Sequence, residues 1–344
     1  MKAQIMRKCS TCKTNDKVAF DAVDGSAPGT YKCSNCGANR VYKPRKGKIN
    51  QEDLRDTIRE VLRTEFKSDE TNRPVIKISF PHKKDRVVVQ VDNAHQAFAD
   101  VMQRVAAELP VLLVGPAGSG KTTLAAQVAT ALGRRFTFNS LSEGVTESSL
   151  MGRMLPQEDG TWAYQESPFV KTFRDGGVHL FDEIDAADPN LLVSINAAIA
   201  NGKLSLPFTD MEPIERHPKC VIIAAANTYG QGADRRYVGR NRLDAATVNR
   251  FTMGTCEIGY DKDLERRLAY GYLADRGADA ELLLNWAWSV RDSLTANRMD
   301  RILSTRNIVD CAKLLLIGKT MVECSRIFTA GWTEDEKSRV RFAF

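Results

Sequence analysis

The sequence of 344 residues contains no long hydrophobic run, although hydrophobic residues make up 43% of it. No stretch approaches the roughly 20 apolar residues that a membrane-spanning helix needs, so we predict no membrane-embedded segment. The first residues, MKAQIMRKCS, contain no apolar core of a secretion signal. A cytoplasmic location is therefore the expectation. The four cysteines scattered along the later part of the chain, Cys220, Cys256, Cys311 and Cys324, are expected to be reduced and buried.

Internal repeats and low-complexity tracts are also absent, so the length is expected to divide into two or three globular domains. After residue 92, short apolar runs alternate with helical patterns. The runs are VLLVG (111–115), RRFTFN (134–139), GVHLFDE (177–183) and CVIIAAAN (220–227). Such runs are typical of parallel strands buried on both faces, and the alternation predicts an α/β fold.

The predicted domains follow these changes of pattern. A helix, a linker and a β-hairpin are expected over residues 50–92, then the parallel-sheet core over 93–258. From about residue 261 only helical patterns remain, which predicts a helical lid domain over 259–344.

The stretch GPAGSGKT, residues 115–122, joins a predicted strand to a helix with the spacing of a phosphate-binding loop. Its glycines let the backbone wrap so that successive N–H groups face phosphates at the helix N-terminus. Lys121 is predicted to reach the β- and γ-phosphates of ATP, and Thr122 to supply a hydroxyl to Mg²⁺. The predicted nucleotide-binding residues are Gly115, Pro116, Ala117, Gly118, Ser119, Gly120, Lys121, Thr122, Thr123 and Asp182.

Two carboxylates, Asp182 and Glu183, end the apolar run GVHLFDE. The C-terminal end of a parallel strand is where an open α/β sheet binds its ligand. Asp182 is predicted to hold Mg²⁺ through water, and Glu183 to activate the attacking water. The pair favours hydrolysis over kinase-type transfer. His179, on the same run, is predicted to pack in the core.

Five segments together resemble the signature motifs of the AAA+ ATPases. They are GPAGSGKT, HLFDEIDAADP, AAANTYGQG, LDAATVNRF and LSTRNIVDCAKLL, which are similar in order to Walker A, Walker B, sensor 1, the arginine finger and sensor 2. Within that family the chain resembles the MoxR branch and its CobS-type cobaltochelatase subunits, over roughly residues 93–325. The resemblance implies Asn227 as sensor 1, Arg306 as sensor 2 and Arg250 as a finger.

An arginine finger acts on the ATP of a neighbouring subunit, so the resemblance implies a homo-oligomeric ring, expected to be a hexamer. Arg240 and Arg242 in the basic run DRRYVGRNR are alternatives to Arg250. Two inserts, residues 143–177 and 201–220, resemble MoxR-branch loops that face the ring pore or a partner. Packing on their own subunit is equally compatible with their sequence, including that of Trp162.

Four cysteines form the pattern C-x2-C-x20-C-x2-C at the N-terminus, which predicts a zinc ribbon over residues 1–49. The predicted ligands of this structural Zn²⁺ are Cys9, Cys12, Cys33 and Cys36. Four thiolates leave no open coordination position, which excludes a catalytic role for the ion. The metal would supply folding energy that so short a segment lacks.

These features predict an ATP-hydrolysing ring that remodels or assembles a protein client, and the MoxR resemblance implies a partner with a von Willebrand A domain. The alternative is a nucleic-acid-directed motor or loader whose zinc ribbon contacts DNA. Residues 1–50 contain eleven Lys or Arg and three Asp, a net +8, whereas the rest of the chain sums to −2. Any acidic partner is therefore expected at the N-terminal segment. A third, weaker hypothesis is an ATP-gated scaffold with little turnover.

Overall fold

The computed structural model describes four strands within residues 4–41 and then residues 91–142, 144–206 and 212–342. The chain forms two compact units, Met1–Leu54 and Arg55–Phe344. The first contains β1 (Gln4–Arg7), β2 (Val18–Ala22), β3 (Thr30–Cys33) and β4 (Asn39–Val41). They form an antiparallel sheet in that order. The predicted zinc ligands Cys9, Cys12 and Cys36 and the side chain of Cys33 lie outside the described residues, as do the predicted helix and hairpin before residue 91.

The second unit is built on a five-stranded parallel sheet. The described strands of the whole unit are β5 (Val111–Val114), β6 (Phe136–Ser140), β7 (Arg153–Pro156), β8 (Trp162–Gln165), β9 (Gly177–Asp182), β10 (Lys203–Leu204), β11 (Ile214–Glu215), β12 (Cys220–Ala226) and β13 (Thr255–Glu257). The parallel sheet has the order β13-β5-β12-β9-β6. Ile223 on the central strand lies opposite both Val111 and Leu180. The predicted α/β fold with a parallel sheet is confirmed.

Eleven described helices surround this sheet or follow it. They are α1 (Phe98–Ala106), α2 (Lys121–Ala131), α3 (Glu147–Met151), α4 (Pro168–Asp175), α5 (Pro189–Asn201), α6 (Ala245–Phe251), α7 (Lys262–Tyr272), α8 (Gly277–Ala296), α9 (Thr305–Leu316), α10 (Met321–Phe328) and α11 (Glu334–Ser338). Each face of the sheet packs against its own apolar cluster, one around Phe169 and Phe181 and the other around Val101 and Val128. Burial on both faces explains why the strands read as continuous apolar runs.

The helices after β13 form a separate hydrophobic core around Trp286, Leu283 and Ile308. This part of the chain is the predicted helical lid. Among the described residues, no helix has the length and apolar character required to cross a membrane.

Both inserts contain antiparallel pairs. The first contains β7 and β8, which pair from Arg153 opposite Gln165 to Pro156 opposite Trp162 and so form a hairpin. The second contains the short pair β10 and β11. After the second insert, α6 continues to Phe251, and a single 3-10 turn, Thr252–Gly254, precedes β13.

Candidate nucleotide-binding and catalytic site

The phosphate loop connects β5 to α2 at the C-terminal edge of the sheet. Gly118 and Gly120 adopt positive φ values of 69° and 94°, a conformation that side chains other than glycine rarely adopt. Gly115 is required for a different reason. A Cβ added there would lie 2.0 Å from the carbonyl oxygen of Ile258, at the end of the neighbouring β13. Tight packing against that strand therefore fixes where the loop begins.

Lys121 begins α2 and lies buried beneath the loop. Its Nζ donates to the carbonyl oxygens of Gly115 and Pro116 at 2.8 and 3.0 Å, and to Asn227 Oδ1 at 2.9 Å. All three acceptors are neutral, so the ammonium charge remains available to a phosphate. Burial lowers the pKa of Lys121 to about 8, against the opposing effect of Asp182.

Thr122 and Asp182 meet across the loop, where Thr122 Oγ1 donates to Asp182 Oδ2 at 2.7 Å. A hydroxyl and a carboxylate oxygen beside a phosphate loop are the hard ligands that Mg²⁺ prefers. The residues present therefore fit a magnesium ion bound together with a nucleotide.

Glu183 follows directly after β9 and has a positive φ of 57°, unusual for a side chain of its size. Its backbone N–H donates to Asp182 Oδ1 at 3.0 Å. This local turn separates the two neighbouring carboxylates. Backbone strain of this kind is concentrated at functional sites, where the surrounding structure maintains it.

Asp185, two residues later, is fully buried and was not among the predicted site residues. Its Oδ2 accepts hydrogen bonds from the backbone N–H of Asn227 at 3.1 Å and of Thr228 at 3.0 Å, and from Thr228 Oγ1 at 2.9 Å. Asp185 thereby fixes the end of β12, from which Asn227 reaches Lys121. A carboxylate two positions after the acidic pair, within an otherwise apolar stretch, was the available signal.

Arg240 reaches the same carboxylates from the connection between β12 and α6. Its Nη2 donates to Glu183 Oε1 at 3.0 Å, and its Nη1 lies 3.7 Å from Asp185 Oδ1. Arg240 was weighed above as a residue acting on a neighbouring subunit. In this structure the guanidinium is engaged by its own subunit, and a role on a neighbouring subunit stays a prediction.

The lid contacts the phosphate loop through Ala117 and Gly118. Tyr260, just before α7, donates from its hydroxyl to the Ala117 carbonyl at 3.0 Å, and burial raises its pKa to about 12. A Cβ added at Gly118 would lie 2.6 Å from Ser304 Oγ and 3.6 Å from Arg306 Cβ. Arg306, which is exposed, therefore lies beside the loop, and its role as sensor 2 stays a prediction.

Arg250 lies on the last turn of α6. It donates from Nη1 to the Ala246 carbonyl one turn earlier, at 2.8 Å. Within the described part of the chain it makes no ion pair, and its Nε is buried without a hydrogen-bond partner. Asp244, the N-cap of the same helix, interacts with Arg250 electrostatically but forms no ion pair with it in the described structure.

The segment that contains this site is similar to known proteins. Residues 110–251 match the profile of the AAA domain, dynein-related subfamily. The match supports ATP hydrolysis by this part of the chain. The match begins just before β5 and ends with α6, so it includes the phosphate loop, the acidic pair, Asn227 and Arg250.

Several relatives share this region. Protein CbbQ of Hydrogenophilus thermoluteolus is 25% identical over 241 residues, which cover 68% of this chain and 86% of that protein. Denitrification regulatory protein NirQ of Pseudomonas aeruginosa is 27% identical over 208 residues, 60% of this chain and 76% of that protein. Midasin of Dictyostelium discoideum is 31% identical over 143 residues, 41% of this chain.

The chain spans only 2% of the length of that midasin, so the similarity concerns the AAA domain alone. CbbQ and NirQ support the predicted likeness to AAA+ ATPases of the MoxR type. The CobS resemblance and the zinc ribbon stay predictions.

Proposed function

We propose that the chain is a MoxR-type AAA+ ATPase that assembles into a ring, expected to be a hexamer, and uses ATP hydrolysis to remodel or assemble a protein partner. The observation that carries this proposal is the convergence of four residues from three distant segments of the sequence on one edge of the sheet. They are Lys121, Asp182, Glu183 and Asn227, of which Asn227 bonds directly to Lys121. That set can bind a triphosphate and activate water beside it.

Each residue of the site has a distinct role in this proposal. The loop N–H groups and Lys121 bind the phosphates, Thr122 and Asp182 hold Mg²⁺, and Glu183 orients the attacking water. When bound, the metal neutralises charge on the phosphates. Ser119, whose buried hydroxyl has no hydrogen-bond partner among the described residues, lies in the loop where N–H and O–H donors would face phosphate.

Assembly into a ring is supported by Arg250 and its surroundings. Arg250 forms no ion pair within the described part of its own subunit, and two apolar side chains close to it in sequence, Val248 and Met253, are 36% and 76% exposed. Exposed apolar side chains beside an arginine without an ion pair fit a protein interface. In the proposal Arg250 reaches the ATP of the neighbouring subunit, and Arg306 closes from the lid.

A protein client is favoured by the first insert. Trp162 lies in the β7–β8 hairpin and is 64% exposed, and exposed tryptophan is enriched where proteins bind one another. The name of NirQ describes that relative as a regulatory protein, which is compatible with action on a protein. A partner with a von Willebrand A domain, implied by the MoxR resemblance, belongs to this proposal.

The experiment that tests the function is capture of the client by Glu183→Gln. This variant should bind ATP without hydrolysing it, and so retain partners that the wild-type chain releases. Affinity purification in ATP is compared with purification in ADP, with Lys121→Ala as the control that does not bind nucleotide. Undiminished hydrolysis by Glu183→Gln would rule out the proposed chemistry.

The nucleic-acid alternative has its own test, because it places DNA on the basic N-terminal segment. Fluorescence anisotropy with labelled DNA at low salt, together with the ATPase rate, decides between the two. Binding that weakens steeply with salt and stimulates hydrolysis would favour the alternative. No binding and no stimulation would leave the protein client.

A structural zinc ion in the first unit is part of the proposal. Arg7 pairs with Val18, and Phe20 pairs with Cys33, so the β1–β2 and β3–β4 connections leave the same end of the sheet. Both C-x2-C pairs lie in or next to these connections in the sequence. We expect about one zinc per chain by atomic emission, lost in Cys12→Ser and retained in Cys220→Ala. Full zinc content in Cys12→Ser would contradict it.

A further inference from the structure

The connection between β12 and α6 folds back over its own catalytic site. The backbone N–H of Ala117 donates to the Tyr237 hydroxyl at 2.9 Å, which ties the connection to the phosphate loop. The backbone N–H of Asn241 donates to the Asp185 carbonyl at 2.7 Å, which ties it to the end of β9. Arg240 lies between these two anchors, so its main chain has a fixed position in its own subunit.

The Arg240 guanidinium is largely removed from water. Its side chain is 13% exposed, and its ion-pair partners among the described residues are Glu183 and the fully buried Asp185. Asp185 Oδ1 accepts no hydrogen bond within the described structure, so the nearby guanidinium compensates its charge. A buried cation between two carboxylates is firmly held, because its departure would leave the buried carboxylate of Asp185 without a counter-ion.

Glu183 uses only one carboxylate oxygen in this contact. Oε1 accepts from Arg240, while Oε2 makes no hydrogen bond among the described residues. The side chain is 43% exposed, so the second oxygen is open to water. A general base needs one group that fixes its orientation and one free position for the proton it removes.

We infer that Arg240 is a positioning residue for Glu183: it binds Oε1 and so directs Oε2 toward the water that attacks ATP. The inference rests on the proposed function, because it acts through the proposed general base. Arg240 itself contacts neither the water nor the nucleotide.

The test uses the full-length chain and steady-state ATPase kinetics. Arg240→Gln should lower kcat by about tenfold or more, part of the roughly 10²–10⁴-fold that a positioned base contributes, with KM for ATP changed by less than about twofold. Arg240→Lys should give a smaller loss, because it keeps the charge near Asp185 but not the planar fork. Arg236→Gln is the control, since Arg236 is an exposed arginine in the same connection.

A double-mutant comparison isolates the route of the effect. Glu183→Gln combined with Arg240→Gln should be no slower than Glu183→Gln alone, because Arg240 acts through Glu183. Binding of a fluorescent ATP analogue should be unchanged in Arg240→Gln. A tenfold weaker affinity would overturn the inference, since Arg240 would then contact the nucleotide.

The outcomes separate the inference from the proposed function. If Glu183→Gln hydrolyses ATP normally, the proposed function fails. If Glu183→Gln is inactive while Arg240→Gln keeps the wild-type kcat, only the inference fails. Should Arg240→Gln not fold, Arg240→Lys decides alone: a lower kcat at unchanged KM supports the inference, and a wild-type kcat overturns it.

Discussion

Burial lowers the pKa of Lys121 from its ordinary 10.5 to about 8, so the unliganded protein loses this proton within an accessible pH range. A triphosphate next to the ammonium restores the charged form. We therefore predict that nucleotide binding at about pH 9 takes up close to one proton. Calorimetric titration with ATP in buffers of different ionisation enthalpy measures this uptake.

This experiment has a control at lower pH and a result that would contradict it. At about pH 7 Lys121 is already charged in the free protein, so its contribution to proton uptake should vanish. Binding heats at about pH 9 that do not depend on the buffer would show that Lys121 keeps its proton in the unliganded site.

Burial also lowers the pKa of His179, which has no role in the proposed catalysis. Burial lowers its pKa to about 3, and its ring packs between Phe169 and Phe181 at centroid distances of 5.0 and 4.6 Å. Its Nδ1 bonds to Thr137 Oγ1, so the prediction of a core histidine agrees with its surroundings.

His179 should contribute to acid lability. Between about pH 6.5 and 3 the unfolded chain binds a proton at this position and the native chain does not, so stability falls as the pH falls through this window. We predict that His179→Phe flattens the pH dependence of the free energy of unfolding there and retains ATPase activity. Chemical denaturation at several pH values measures the pH dependence of unfolding. Loss of ATPase activity in a folded His179→Phe variant would contradict the prediction that activity is retained.

At the scale of the elements, three of the lid helices, α7, α8 and α9, meet at one buried carboxylate. Glu265 on α7 accepts from both Nη atoms of Arg291 at 3.1 and 2.7 Å and from Trp288 Nε1 at 2.8 Å, both on α8. Thr305 Oγ1 on α9 adds a bond of 2.7 Å. Arg291 also lies 4.0 Å above the ring of Tyr260, which contacts the phosphate loop.

Removal of this carboxylate should destabilise the lid. We predict that Glu265→Ala lowers the free energy of unfolding by about 3–5 kcal/mol, because Arg291 is left buried without its counter-ion. The matched control is Glu334→Ala, which removes a 90% exposed carboxylate from the surface pair with Lys337 and should change stability little. Equal losses in the two variants would show that the lid does not depend on this network.

Element order and the phosphate loop could be predicted because their signals are contiguous in the sequence. The strand runs, the loop spacing and the Asp182–Glu183 pair each lie within a few neighbouring residues. Asp185 and Arg240 could not be assigned, since their partners are distant in sequence: Thr228 lies 43 positions after Asp185, and Arg240 lies 57 positions after Glu183. Only the packing of β9 beside β12 brings them together.

At the scale of the whole molecule, we predict that residues of two neighbouring chains form one active site. Arg250→Ala should abolish ATP turnover while nucleotide binding survives, because the arginine is proposed to act on a neighbour's γ-phosphate. Mixing Arg250→Ala with Glu183→Gln subunits should restore part of the activity, since some mixed interfaces then combine an intact Glu183 with an intact Arg250. ATPase assays across a series of mixing ratios measure it.

Two results would contradict this prediction. Normal hydrolysis by Arg250→Ala alone would remove the arginine from the mechanism, and Arg242, which is exposed on the same connection, would become the candidate. An inactive mixture at every ratio would indicate that Arg250 is needed within its own chain.

The left-handed backbone of Glu183 makes the proposed catalytic residue a weak point of the fold. A non-glycine side chain in that region carries strain on the order of 1 kcal/mol or more, and glycine there would carry none. Glu183→Gly should therefore melt at a higher temperature than Glu183→Ala, which loses the same contact with Arg240 but keeps a Cβ in the strained conformation. Neither variant should hydrolyse ATP, so the backbone at this position favours glycine while the proposed chemistry requires the carboxylate.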